Sequence, residues 1–389
     1  MRIFYFARVD LSAGDASFRH VFEFCRHFVR QGHALTLFLP DLGERPPLEG
    51  FQVVYVPVLS RRSGITFFSF YFFLFFYFLF HYVRVRPHAV YTRHQQMEGC
   101  VTWLKYVLGF VYVNEVNGLS TVELRINRKP GWVIGATRCL ERITFRMADL
   151  LVTPSEKIRD ALCRDYGIDP SRFLVVSNGA DPELLQPLNP EQCRRELNLD
   201  PHLKYLVFVG SFKRWHGISK IVDVFPQILE RRPDCRLLLV GDGEDKPAIE
   251  SIIRDKSLEG TVLLFGRRPF SEVSRFINAG DICIAPYFDA LLNETGISPL
   301  KIYEYFACGK PVITSPMGGL ESVFERFEVG VLVDSSDPMA WVDAVTGLLN
   351  DPERIQILGQ NARRTLVEEF SWEKICQTIA RRVEQVAGI

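Results

Sequence analysis

Lys301 and Glu304 stand three residues apart in the run Asn293-Glu294-Thr295-Gly296-Ile297-Ser298-Pro299-Leu300-Lys301-Ile302-Tyr303-Glu304. Ser298 suits an N-cap and Pro299 a first helical position, so the spacing predicts a short helix from Leu300 to Cys308. Gly309 stops that helix, and Lys310-Pro311 lead into a strand, Val312 to Thr314. Free N–H groups and the positive dipole end at such a start make an anion site, with phosphate the usual occupant. About a turn and a half inside, Glu304 can turn its carboxylate back toward the same ligand, and Lys301 can reach either the ligand or Glu304. A capped helix without a ligand is the plain alternative.

Other residues of this kind follow strands. Tyr205 to Val209 reads as a strand whose turn, Gly210-Ser211-Phe212-Lys213-Arg214-Trp215-His216-Gly217, holds cations between glycines and suits a diphosphate. Arg236 to Val240 with Gly241-Asp242-Gly243, and Thr261 to Phe265 with Gly266-Arg267-Arg268, repeat the pattern. Gly318-Gly319, after Thr314, offers further N–H groups to a phosphate. In the first half, Arg93-His94 ends the strand from Ala89, and Asn117-Gly118 follows Val111 to Val116. Carboxyl ends of strands are where α/β folds place ligands. A lone histidine such as His94 is as readily a structural hydrogen-bonding group. Gly14, with Asp15, Ser17, Arg19 and His20, either faces a ligand or forms a tight capped turn.

The elements that must position these residues alternate strand and helix, the rhythm of doubly wound α/β sheets. The length of 389 residues predicts two domains. The first spans 1–182; a proline-bearing connection over 183–203 leads to the second, 204–365; a final helix follows over 366–389. Hydrophobic residues make up 47% of the chain and charged ones 24%, ample for two cores. Zero formal net charge argues against nucleic acid as a partner. Nine cysteines without a C-x-x-C pair read as reduced thiols in a cytosolic protein, neither a disulfide frame nor a metal site. Met1-Arg2 runs straight into the strand Ile3 to Ala7, so no cleavable signal peptide is expected.

Between the strands Phe51–Val58 and Ala89–Tyr91 lies an unusual segment. Nine of the 31 phenylalanines fall within Ile65 to Phe80, flanked by Arg61 and Arg62 before and Arg84 and Arg86 after. Sixteen helical residues reach about 24 Å, short of the roughly 30 Å hydrocarbon core. A single crossing would also put two strands of one sheet on opposite sides of a bilayer. The segment is therefore read as an interfacial helix over 65–83, meeting an anionic membrane surface through 61–86. A fully buried crossover helix is the alternative. Arg125, Arg128, Lys129 and Trp132 read as a basic aromatic loop, either solvated or against the same surface.

These motifs together resemble the family 4 retaining glycosyltransferases of the GT-B fold. Ser177-Asn178-Gly179-Ala180-Asp181 is similar to the family's "NG-x-D" exit from the first domain. Gly210 to Gly217 resembles its phosphate turn, Leu239 to Glu244 its "V-G-D-G", and Glu304 to Val312 its "E-x-x-A-x-G-x-P-V". The resemblance implies two Rossmann-like doubly wound domains facing a central cleft, with the last helix returning to the first domain. It implies a UDP- or GDP-linked sugar donor on the second domain, with no metal and no resident cofactor. Glu304 would bind the ribose hydroxyls. Amides of Ser298, Pro299-Leu300, Gly318 and Gly319 would hold phosphates or sugar, with Gly210, Ser211, Arg214, Gly241, Gly243 and Arg268 lining the donor. Lys213 and His216 would neutralise the leaving diphosphate. Three positions depart from the family. Ser211 and His216 stand where it has arginine and lysine, Gly296 where it has a glutamate (Glu294 lies two residues early), and Asn117 where it often has histidine. His94 or Glu115 is then the polar partner in the first domain, with Gly14, Ser17 and Arg93 on the acceptor side.

The expected activity is transfer of a sugar to a lipid-linked or glycolipid acceptor by a protein on the cytoplasmic face of the membrane. A GT-B nucleotide-sugar epimerase and a non-catalytic nucleotide-sugar binder are the other two readings.

Overall fold

The computed structural model describes residues 1–10, 16–43, 45, 50–60, 63–95, 97–288 and 299–389. They form two compact units. The first holds the described part of 1–178 together with Trp372–Ile389, and the second that of 179–293 and 299–371.

Seven parallel strands build the first unit: β1 (Arg2–Phe6), β2 (Ala34–Pro40), β3 (Gln52–Val56), β4 (Ala89–Arg93), β5 (Val111–Glu115), β6 (Leu150–Thr153) and β7 (Phe173–Val175), in the order β3-β2-β1-β4-β5-β6-β7. Six more make the second: β8 (Lys204–Val209), β9 (Cys235–Val240), β10 (Val262–Gly266), β11 (Ile282–Ala285), β12 (Val312–Thr314) and β13 (Gly330–Leu332), ordered β10-β9-β8-β11-β12-β13. The central strands are buried along nearly their whole length, as parallel strands covered on both faces must be. Each sheet has one switch point, where the chain leaves in one direction and later returns on the other side. These are β1/β4 and β8/β11, and ligands of doubly wound folds bind beyond the carboxyl ends there.

The aromatic segment is a helix of 23 residues, Ser63–Val85, longer at both ends than 65–83. Phe70, Tyr71, Leu74 and Phe78 are buried, and Phe78 meets Phe4 and Phe6 edge-on at 5.9 and 5.8 Å. The opposite face exposes Phe68, Phe72, Phe76 and Phe80, one per helical turn. The fully buried alternative is thereby overturned. Strands β3 and β4 lie in one parallel sheet, which makes the helix their crossover, although it is long and apolar enough to cross a membrane.

Three expectations need correction. Residues 183–203 are no loose connection. Asn189 caps the helix Pro190–Glu196, whose nearly buried Arg194 bonds Asp281 at 2.7 Å and the Ala279 carbonyl at 2.9 Å, tying the stretch into the second unit. Trp132 is not in a loop but on the first turn of the helix Gly131–Met147, and Arg125 belongs to the helix Ser120–Ile126. The last helix starts at Trp372, after the helix Pro352–Glu369 ends in the second unit. It packs in the first unit, where Trp372 meets His20 edge-on at 5.0 Å and Cys376 donates to the Phe24 carbonyl.

Candidate functional site

In the second unit the helix carrying Glu304 runs over Leu300–Ala307, with Pro299 at the N-cap position and Gly309 left-handed beyond its end. It starts at Leu300 as expected and ends one residue short of Cys308, which sits at the C-cap position. Glu294, Gly296 and Ser298 lie outside the described residues, as does Gly14 in the first unit. Tyr305 fixes the helix against β8, its hydroxyl taking the Val209 N–H at 2.8 Å and lying 3.3 Å from the Val209 carbonyl. Arg363 bonds the Ala307 carbonyl at 2.7 Å at the other end. Lys301 and Glu304 are thus held at the β8/β11 switch point, with Glu304 only 4% exposed.

The Lys301 ammonium stands beside the Gly210 turn. Its Nζ is 3.5 Å from His216 Nε2, 4.1 Å from the centre of the Phe208 ring, and 3.0 Å from where a Cβ on Gly210 would sit. His216 Nδ1 lies 2.5 Å from the Ser211 carbonyl, so the neutral ring carries its proton on Nδ1 and turns the Nε2 lone pair toward Lys301. Burial, helped by the Lys301 charge, pushes the His216 pKa down to about 2. The ring is therefore uncharged at neutral pH and does not neutralise a diphosphate; it orients Lys301 instead. Lys213 stands 5.6 Å over the Trp215 ring, partly exposed.

The glycine turns are shaped by contact. A Cβ on Gly241 would lie 1.8 Å from the Gly210 carbonyl oxygen, and one on Gly243 2.6 Å from that of Phe212. The Arg214 side chain is exposed, and its N–H faces Glu244 at 3.4 Å. Two expected donor contacts are otherwise engaged. The Gly319 N–H donates to Glu321 at 3.0 Å, and Arg268 bonds the Phe265 carbonyl at 3.1 Å and pairs with Glu272 at 3.7 Å.

His216 also gives a pH signature. The unfolded chain takes up this imidazole proton below about 6.5, the folded one only near 2, so folding stability falls as pH drops through that window. Between pH 6.5 and 5 the wild type should lose about 2 kcal/mol more stability than His216→Gln, measured by urea unfolding. Equal losses would mean the ring is not held neutral.

In the first unit, Arg93, His94 and Asn117 come together around a cavity of about 290 Å³ whose lining also includes Arg8, Gln95 and Glu123. Arg93 donates to the Ser17 carbonyl at 3.0 Å, joining two expected acceptor-side residues. Asn117 donates to Glu115, which also takes His20 at 2.9 Å and the Tyr91 hydroxyl at 2.8 Å. Burial opposes the Glu115 charge, but His20, Arg93 and Asn117 outweigh it and hold its pKa down to about 2. The His94 side chain is 2% exposed between Glu98 at 3.7 Å and Glu141 at 3.4 Å. Burial disfavours its charge, yet the two carboxylates prevail and raise its pKa. Glu141 was not legible as a partner, because it lies on a helix that only the fold brings to His94, whereas Glu98 stands four residues after His94, just before the helix Gly99–Thr102.

A model of glycosyl transferases group 1 matches residues 190–365, and one of Glycosyltransferase Family 4 matches 17–184. The chain is 31% identical over 246 residues to a D-inositol 3-phosphate glycosyltransferase of Corynebacterium glutamicum, covering 61% of this chain and 57% of that protein, under two thirds of its length. Among solved structures it resembles sucrose-phosphate synthase from Thermosynechococcus elongatus (TM-score 0.81, 20% identity, 100% and 99% of the two chains). It also resembles Anabaena HepE in complex with UDP-glucose (TM-score 0.75, 16% identity, 99% and 100%). The structural neighbours share the fold, and with one matched model on each parallel sheet the chain belongs to the family 4 glycosyltransferases.

Proposed function

We propose that this protein is a retaining glycosyltransferase moving a sugar from a nucleotide-sugar donor to a lipid-linked acceptor at the cytoplasmic membrane face. The donor reading is carried by Lys301, set beside the Gly210 turn and 3.5 Å from an uncharged His216. When the bond from the anomeric carbon to the diphosphate breaks, negative charge grows on the leaving oxygens. A cation fixed in advance stabilises that charge without reorganising at the moment of reaction. Glu304 takes the ribose hydroxyls, and Lys213 assists from the rim of the turn. The named activity of the Corynebacterium relative and family membership support the reaction class.

Labelled-sugar transfer into a lipid extract should be seen with the wild type and fall at least about tenfold with Glu304→Ala, one strong hydrogen bond to a ribose hydroxyl being worth about that factor. Epimerised or hydrolysed donor without lipid product would favour the epimerase, and binding without turnover a non-catalytic binder.

The membrane part rests on the exposed Phe68, Phe72, Phe76 and Phe80 stripe, with Arg84 and Arg86 exposed at its end. Such a face suits the acyl boundary, with the arginines at anionic head groups. Changing all four phenylalanines to serine should abolish flotation with anionic liposomes while leaving the fold intact, since none of the four is buried. Unchanged flotation of the folded variant would remove the membrane reading.

A further inference from the structure

Two arginines line the cavity at the β1/β4 switch point. Arg8 follows β1 and Arg93 ends β4, so both reach it from adjacent strands' carboxyl ends. Arg8 spends its Nε on the Gln95 side-chain oxygen at 3.2 Å, and Gln95 returns a bond to the Arg8 carbonyl at 3.2 Å. Arg93 spends one amino group on the Ser17 carbonyl. Among the described residues no carboxylate lies within ion-pair distance of either guanidinium. Glu115, whose charge Arg93 helps to hold, is bonded by His20, Tyr91 and Asn117. Glu98 and Glu141 are taken up by His94, and Glu123 is exposed on the rim.

We infer that this cavity holds a phosphoryl group of the acceptor, clamped between Arg8 and Arg93. Guanidinium is the group best matched to phosphate oxygens, binding them by paired N–H donors. The volume suits a single sugar phosphate or diphosphate head. Arg8, one of the lining residues, also packs its guanidinium 5.1 Å from the Phe67 ring centre, on the Ser63–Val85 helix. Arg8 thereby links the clamp to the helix whose outer face is phenylalanine. The inference rests on the glycosyl-transfer reading and narrows its acceptor to phosphorylated molecules, whether a lipid diphosphate or a free sugar phosphate.

Full-length wild type, Arg8→Gln and Arg93→Gln would be sedimented with phosphatidylcholine vesicles carrying either a polyprenol or its diphosphate. The polyprenol vesicles subtract whatever the phenylalanine face contributes. Wild type should prefer diphosphate vesicles at least about tenfold, and each variant should lose most of that preference, as expected for a charge-assisted pair. Calorimetry with inositol 3-phosphate against inositol tests the soluble source. An arginine-dependent preference there, without one on vesicles, would make the acceptor a free sugar phosphate. No phosphate preference in the wild type, or a preference that survives in both folded variants, overturns the clamp. Labelled-sugar transfer on the same preparations separates the two ideas. Transfer indifferent to acceptor phosphate removes the clamp alone, whereas arginine-dependent phosphate binding without any transfer removes the glycosyltransferase reading alone.

Discussion

Lys301→Met is expected to lower sugar transfer by ~10²–10³ in kcat, the loss typical of removing one preorganised charge-stabilising donor. The methionine keeps the aliphatic contact with Phe208 and removes the ammonium. Because Lys301 also lies over the Phe208 and Tyr287 rings and 3.5 Å from His216, the rate loss is to be compared with any change in stability. Donor KM should change less than kcat, since the charge is needed most when the diphosphate departs. Lys213→Met provides the contrast. Its ammonium stacks over Trp215 on a partly exposed turn, where solvent screens it, so about a tenfold loss is expected. The measurement is steady-state transfer with the donor varied, alongside thermal unfolding of each variant. A Lys301→Met enzyme within about threefold of wild type, or a larger loss at Lys213, would move the charge back to the turn.

That contrast shows what the residues alone could convey. Ser211 and His216 stand out in the sequence as missing cations, and the nearest lysine and arginine in the turn are the obvious replacements. Lys301 is remote in sequence from that turn, and its closeness follows from β8 and β11 being neighbours and from Tyr305 locking the helix to Val209. No local pattern carries that information. His216 misleads for a related reason: its type suggests charge, but its burial, visible only in the fold, removes it. The aromatic helix was legible in existence and in leaving large apolar residues exposed. Its division into a buried and an exposed stripe was obscured because phenylalanine occupies both faces. At Gly319 a glutamate two residues onward takes the N–H, a signal present in the sequence but easily read as a helix-start charge alone. The 183–203 stretch misled by its prolines: Pro190 starts a helix instead of breaking one, and Arg194 buries its guanidinium against Asp281.

The glycine turn beneath Lys301 leads to the largest stability effect. Gly241→Ala should cost roughly 2–5 kcal/mol, lowering the unfolding midpoint by about 10 °C. Two terms contribute. Gly241 has φ of +148°, where an L side chain is strained whatever space surrounds it. The added Cβ would also stand 1.8 Å from the Gly210 carbonyl oxygen, which is backbone and has no rotamer to escape into. Gly210 is anchored by its N–H to the Val240 carbonyl at 2.9 Å, and Phe212 by its N–H to the Asp242 carbonyl at 2.9 Å. Relief therefore requires the β8 and β9 turns to separate, carrying Gly210 away from Lys301 and Ser211 away from His216. The same substitution should then weaken nucleotide-sugar binding along with the fold, which distinguishes it from Lys301→Met. Thermal unfolding with and without donor reads both effects, because a ligand that binds only the folded state raises the midpoint by mass action. An unchanged midpoint in Gly241→Ala would mean that the two turns do not touch as the structure has them, and the placement of Lys301 against Gly210 would fall with that contact.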